Sequence, residues 1–268
     1  MKDKVIIITG ASGGIGEALA ETFAASKAKI VLAARDVQKL EIVKTRLTSR
    51  GADVLCIPCD VSVETNCKNL IEETVKRFGK IDVLINNAGI SMRALFNDVD
   101  VDVLRKIMDV NFWGTVYCTK YALPFLLKSQ GSLVGISSIA GKKGLPGRTG
   151  YSASKFAMEG FLETVRTENL KKNLHVLIAC PGFTATDIRK NALSENGSPQ
   201  KASPREEGRM MSSAKVAGYI YKAIVKRKRD LILTSNGKLT VWLNKFFPSM
   251  LDKMVYNHMA KEADSPFK

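Results

Sequence analysis

The chain has 268 residues, 45% of them hydrophobic and 25% charged, with a formal net charge of +15. That composition excludes collagen-like, low-complexity and disordered chains, and the length suffices for a full hydrophobic core. With two histidines and five cysteines, of which only Cys56 and Cys59 form a close pair, a structural zinc site lacks ligands, so no metal is expected and a reducing cytoplasm is the expected setting.

The first element, "KVIIIT" (4–9), meets glycines at once. It is too short for a signal peptide or a membrane span and is predicted as a buried strand. "TGASGGIG" (9–16) then opens a helix predicted over Ile15–Ser26. Glycines let backbone N–H groups approach a pyrophosphate, and the helix N-terminus adds partial positive charge. The spacing Gly10, Gly14, Gly16 is not the commoner GxGxxG, and alone it is equally a tight strand-to-helix turn.

Further strands are predicted at "KIVLAA" (29–34), "DVLCIP" (53–58), "IDVLIN" (81–86), "SLVGIS" (132–137), "HVLIAC" (175–180) and "DLILT" (230–234), separated by helical spacing such as Val37–Arg50. Asp36 and Ser62 stand where helix N-caps are wanted. Strands that are apolar throughout imply burial on both faces. The expected fold is therefore α/β: a single-domain, Rossmann-like, doubly wound parallel sheet of about seven strands with helices on both faces, over 1–236.

"LSENGSPQKASPREEGR" (193–209) is polar and aperiodic; it is expected to be a substrate lid over 193–213, or else a disordered insert. Beyond it, Leu239, Trp242, Leu243, Phe246, Phe247, Met250, Leu251, Met254 and Val255 recur at helical steps, predicting an amphipathic C-terminal helical extension over 237–268, bent or broken at Pro248. The stripe can pack on the substrate side, meet a neighbouring subunit, or lie on an anionic membrane surface with help from Lys238, Lys245, Lys253 and the upstream "KRKR" (226–229). The remaining basic residues are scattered and carry no RNA-binding aromatic motif, so no nucleic-acid partner is expected.

Tyr151 and Lys155 in "YSASK" are four residues apart and share one helix face. A free tyrosine titrates near about 10, and a cation within ~4–6 Å favours its phenolate. This pair is a candidate acid–base group.

Four motifs now stand in order: TGxxxGxG at the first strand, "NNAG" (86–89) after the fourth, Ser138 thirteen residues before Tyr151, and "PG" (181–182) after the sixth. In them the chain resembles the short-chain dehydrogenase/reductase family over 4–234. The resemblance implies an NAD(P)-dependent oxidoreductase that exchanges hydride between its cofactor and a small-molecule carbonyl or alcohol. Tyr151 would be the acid or base, Lys155 its cationic partner and ribose ligand, and Ser138 a donor to the substrate oxygen. Asn111 would hold, through its carbonyl, a water leading to Lys155. Cofactor contacts would come from Gly10, Ser12, Gly14, Ile15 and Gly16; from Asp60 and Val61 at the adenine; from Asn87, Ala88 and Gly89 past the ribose; and from Pro181, Gly182, Thr184 and Thr186 near the carboxamide or a phosphate.

Asp36 lies 20 residues after Gly16, the nominal place of an NAD-selecting acid. Arg35, next after the strand, can fork onto a 2′-phosphate instead. The expectation is NADP(H), with NAD(H) as the alternative. Ile139, Leu145, Phe183 and the lid are the expected apolar neighbours of the reacting carbon. The tail resembles those of hydroxysteroid and long-chain lipid ketone reductases, implying an apolar substrate. Helices around 100–128 and 151–172 resemble those through which the family forms homodimers and homotetramers. The competing readings are a non-catalytic cofactor sensor on the same fold and a nucleotide-sugar epimerase, whose larger C-terminal domain has no counterpart here.

Overall fold

Along strand β1 (Val5–Thr9), Ile6 and Ile8 point into one apolar cluster while Val5 and Ile7 point into another, so the strand is buried on both sides. This is why it reads as a continuous apolar run. The computed structural model describes residues 1–201, 210–262 and 265–267. The strands that follow are β2 (Lys29–Ala34), β3 (Val54–Pro58), β4 (Val83–Asn86), β5 (Ser132–Ile136), β6 (His175–Cys180), the short β7 (Thr184–Ala185) and β8 (Met211–Ser212), and β9 (Asp230–Ile232). Seven of them form one parallel sheet in the order β3-β2-β1-β4-β5-β6-β9, and β7 pairs with β8 apart from it. The seven expected strands and the doubly wound layout are all present.

Helices α1 (Gly14–Ala25) and α2 (Val37–Thr48) cover one face of the sheet, and α3 (Glu64–Phe78) lies on the other. A single helix was expected around 100–128. Instead α4 (Val101–Met108) passes through one π-helical turn, Asp109–Trp113, into α5 (Gly114–Lys128). Asn111 sits fully buried inside that wide turn; such bulges recur at functional sites. Helix α6 (Thr149–Glu168) packs beside α5, and α7 (Ser213–Val225) returns to the first face against α1. There Phe23 meets Tyr221 edge-on, ring centroids 5.2 Å apart. Truncating a fully buried phenylalanine costs about 3–5 kcal/mol, so this contact anchors the α1–α7 layer.

The caps correct one expectation and support another. Asp36 caps α2 by accepting the Lys39 N–H at 3.0 Å. Ser62 does not cap α3: the helix starts at Glu64 after Val63, and the Ser62 hydroxyl donates to Asp60 at 2.7 Å. All five cysteines are free thiols.

After β9, Thr234 takes a left-handed backbone (φ 68°) and starts α8 (Ser235–Phe246). Phe247 then separates α8 from α9 (Pro248–Ala260), with Pro248 in the first helical turn, where its missing N–H is harmless. The expected break at Pro248 is thus present. The basic run 226–229 precedes β9 and α8 follows it, so the two lie at opposite ends of that strand. Arg227 donates to the carbonyls of Gln130 and Asn173, and Arg229 pairs with Asp230 at 3.2 Å. The expectation that this run flanks the apolar stripe is therefore not met. Among the described residues no helix is long and apolar enough to cross a membrane.

Candidate active site

The strand order reverses between β1 and β4, and the loops leaving the carboxyl ends of neighbouring strands converge there. Gly10 and Gly14 both take left-handed backbones (φ 65° and 57°), which only glycine adopts without strain. A Cβ at Gly16 would stand 2.2 Å from the Gly10 carbonyl oxygen and 2.7 Å from Asn87 Nδ2, so the turn and the post-β4 loop are pressed together there. At Gly13 an added Cβ would meet nothing within 4 Å, and no side chain caps α1. The first N–H groups of α1, Ile15 among its residues, thus lie beside an open cradle of the kind that takes a phosphate. Ser12 is half-buried within the same turn.

Thr9, which sequence reasoning missed, ties this turn to β4. Its hydroxyl oxygen accepts the N–H groups of Asn87 and Ala88, each at 3.0 Å. Asn87 Nδ2 donates to the Thr9 and Gly10 carbonyls at 2.9 and 3.2 Å. Thr9 is quoted within the motif, but its role depends on a strand 78 residues away. Thr186 closes the other side: its methyl would lie 3.2 Å from a Cβ at Gly14. Thr184 is buried and donates to the Gly182 carbonyl at 3.1 Å, so Thr186 is the one of the two that reaches the turn. A Cβ at Gly182 would stand 3.0 Å from Thr234 Oγ1, and the Pro181 carbonyl accepts from Ile139 N at 3.4 Å.

At the end of β2, Arg35 is exposed beside the cap Asp36. The backbone N–H of Lys39 holds the Asp36 carboxyl below the usual range. Asp60 accepts from Ser62, and Val61 is buried under Gly114, where a Cβ would come within 2.8 Å of it.

The second half of the site faces this cradle. Tyr151 and Lys155 share a face of α6, with Lys155 Nζ 5.8 Å from the Tyr151 ring centroid. Lys155 is only 3% exposed and donates to the Ile136 carbonyl at 2.8 Å. A Cβ at Gly89 would lie 3.4 Å from Lys155 Nζ and 3.1 Å from Asn111 Oδ1, so the bare backbone there lines the ammonium. Asn111 accepts from Ile90 N at 2.8 Å and donates to the Ile90 carbonyl and Ser154 Oγ, both at 2.9 Å. Its own carbonyl accepts the Thr115 hydroxyl at 2.9 Å. Ser138 caps the 3₁₀ turn Ile139–Gly141, accepting from Ala140 N at 3.2 Å, and its hydroxyl also bonds that of Tyr151.

The titration of the pair differs from the expected direction. Burial pushes the Tyr151 hydroxyl up, with the Ser138 hydrogen bond and the charge of Arg148 opposing it. Burial also drives Lys155 down, to about 8, against the pull of Glu159 and Cys180. Desolvation therefore outweighs the mutual attraction assumed from spacing alone.

On the substrate side, a cavity of about 560 Å³ lies between 143–146 and α9, lined by Lys143, Pro146, Val255 and Tyr256 among others. Leu145 N donates to Ser152 Oγ at 3.2 Å, Ile139 presses on Gly237 of α8, and Phe183 is exposed. The first part of the expected lid is pinned down. Leu193 bridges Met92 and Pro199, and Leu193 N donates to the Ser91 carbonyl at 2.9 Å. Residues 202–209 lie outside the described residues, and Ser212 caps α7. The tail docks on the same side: Asn244 Nδ2 donates to the Lys142 carbonyl at 2.9 Å, Lys143 pairs with Asp252, and Arg93 with Glu262 at 3.5 Å. Leu243 and Leu251 are buried, whereas Leu239, Trp242, Phe246, Phe247, Met250 and Met254 stay exposed.

The arrangement fits a dinucleotide lying from the glycine turn to Lys155, and a proton donor–acceptor at its far end. Among the described residues no group of His, Cys, Asp and Glu is placed to hold a metal ion. Comparison with known proteins agrees with this. The sequence profile of the short chain dehydrogenase family matches residues 4–197. The chain is 35% identical over 271 residues to dehydrogenase/reductase SDR family member 7B of Mus musculus, covering 99% of this chain and 84% of that protein. It is 46% identical over 187 residues to 11-beta-hydroxysteroid dehydrogenase-like 2 of Arabidopsis thaliana, covering 69% of this chain and 60% of that one. Among solved structures, a short chain dehydrogenase/reductase of Burkholderia phymatum in complex with NAD superposes with a TM-score of 0.83 at 26% identity, over 93% of this chain and 95% of that one. An alcohol dehydrogenase of Thermococcus sibiricus complexed with 5-hydroxy-NADP gives 0.75 at 25% identity, over 87% and 96%.

Proposed function

The chain belongs to the short-chain dehydrogenase/reductase family and is an NAD(P)-dependent oxidoreductase; from that premise we propose that it is an NADP(H)-dependent reductase of an apolar ketone or aldehyde, or the corresponding alcohol dehydrogenase. The observation that carries the chemistry is the contact of the Tyr151 and Ser138 hydroxyls, with Lys155 Nζ 5.8 Å from the same ring. Bound between the glycine turn and Lys155, the cofactor supplies the hydride for a substrate carbonyl carbon. Tyr151, whose raised pKa keeps it protonated at neutrality, gives its proton to the carbonyl oxygen. Ser138 donates to the same oxygen and stabilises the charge that builds there. The Lys155 ammonium faces the tyrosine as it loses its proton, and Asn111 holds the backbone beside that ammonium through Ile90.

The preference for the 2′-phosphorylated cofactor is supported by the exposed Arg35 and by the commitment of Asp36 to its helix. The apolar substrate is supported by the cavity of about 560 Å³ between 143–146 and α9. We read residues 1–236 as the oxidoreductase unit and 237–268 as an extension that walls this cavity. Trp113 and Phe156 are exposed on adjoining helices, next to Phe112 and Phe161, which supports a homodimer or homotetramer formed through α5 and α6. The outward face of the tail, with Trp242, Phe246 and Lys245, supports peripheral contact with an anionic membrane. Free thiols throughout support a reducing cytoplasm.

A carbonyl panel spanning short ketoesters, steroids and long-chain ketones, with NADPH and NADH consumption followed separately, tests the reading. The expected result is reduction of a bulky apolar ketone with NADPH. No turnover across the panel with either cofactor, in either direction, would reject it. Light scattering tests the oligomer, and sedimentation with anionic vesicles at low salt tests the lipid contact.

A further inference from the structure

The helix face that carries Tyr151 and Lys155 has a third member, because Glu159 follows Lys155 by four more residues. Glu159 is 5% exposed. Its Oε1 accepts the Ser137 hydroxyl at 2.5 Å and the Cys180 thiol at 3.4 Å, and its Oε2 pairs with Lys142 Nζ at 2.5 Å. A Cβ at Gly141 would stand 2.3 Å from Glu159 Oε1 and 2.6 Å from Ser137 Oγ. The turn that begins at Ser138 is thus folded closely around one buried carboxylate. Burying a carboxylate is costly unless it is paired and hydrogen-bonded, and here partners come from β6, the end of β5 and the 3₁₀ turn.

We propose that Glu159 is a positioning residue: it keeps Lys155 in its ammonium form and clamps the Ser138 turn against α6, while Lys142 sets how much of its charge Lys155 feels. The proposal rests on the oxidoreductase reading above. The charged and titratable groups facing this pair are Tyr151 on the same helix, Arg148 at its start, Lys142 from the turn, Cys180 from β6 and Asp230 from β9. Burial holds the Cys180 thiol protonated, so it adds no charge near neutrality. Burial alone would lower Lys142, but its hydrogen bond and attraction to Glu159 outweigh that and raise it. Lys155, which burial drives down to about 8, loses its proton close to working pH, and Glu159 opposes that loss.

The two ends of the ion pair therefore act on Lys155 with opposite sign. A ¹³C NMR titration of lysine-labelled protein reads this directly, the Lys155 signal being assigned by its absence in Lys155→Met. Glu159→Gln is expected to move the Lys155 midpoint down and Lys142→Met to move it up, each by about one pH unit, a tenfold change in the ammonium-to-amine ratio. Glu159→Asp keeps the charge and stays near wild type. The alkaline limb of NADPH-dependent reduction is expected to shift with the same signs. Midpoints that stay put in both variants, or move in the same direction, overturn the proposal, even where turnover falls. Lys142→Met carries the test alone should Glu159→Gln not fold. A protein with these midpoint shifts but no carbonyl reduction would sink the activity reading and leave the charge coupling standing.

Discussion

The glycine turn after β1 and the ladder on α6 meet at one edge of the sheet but are built by different means. The turn is shaped by backbone: left-handed glycines, a carbonyl in the path of any added carbon at Gly16, and helix N–H groups that no side chain caps. The ladder is shaped by side chains contributed from α6, β5, β6 and the turn between β5 and α6. A site of the first kind fails when an atom is added. One of the second kind fails when a charge or a proton is moved.

The largest effect expected is on the ladder side. Tyr151→Phe should lower the turnover number for carbonyl reduction by about 10²–10⁴-fold while cofactor affinity, followed by fluorescence, stays unchanged. Turnover within a few-fold of wild type would remove Tyr151 from the chemistry. On the turn side, Gly16→Ala forces Gly10 and Asn87 apart, at a cost of about 1–3 kcal/mol. Calorimetry should show weaker cofactor binding for Gly16→Ala but nearly native binding for Gly13→Ala, whose Cβ meets open space. Equal losses at the two positions would mean that crowding is not what the glycines avoid.

Arg35→Ala should cost NADPH about tenfold in kcat/KM and leave NADH unaffected, the value of a charge-assisted hydrogen bond. An unchanged cofactor ratio points to NAD(H). The smallest effect concerns stability. An unfolded lysine titrates near about 10.4, and Lys155 in the fold near about 8, so between those values the unfolded chain binds more protons and stability gains from rising pH. Lys155→Met should therefore melt higher than wild type at pH 7, with an advantage that shrinks as pH climbs through that window. Melting curves at four or five pH values would reveal the trend, and an advantage that grew instead would contradict burial as the cause.

What could be read in advance follows the same division. The strands were legible because burial on both faces leaves uninterrupted apolar runs, and Asp36 was legible as a cap because capping is decided within three residues. Ser62 was misread by the same local rule, since Asp60, two residues earlier, takes its hydroxyl. The tie from Thr9 to Asn87, the grip of Glu159 on Ser137 and the upward push on Tyr151 depend on neighbours distant in sequence or on exclusion of water, which spacing does not encode. The basic run before β9 shows the converse. It is close to the apolar stripe in sequence, yet a single strand sends the two to opposite poles.

The wide turn at Asp109–Trp113 carries a consequence for engineering this scaffold. Its surplus residue acts as a phase dial between two helices that would otherwise share one pitch. Removing a residue there would restore regular winding and rotate everything downstream by about 100°, swinging Cys118, Ala122 and Leu126 away from the sheet they now seal. Loops elsewhere can absorb insertions and deletions, but this segment has a fixed length.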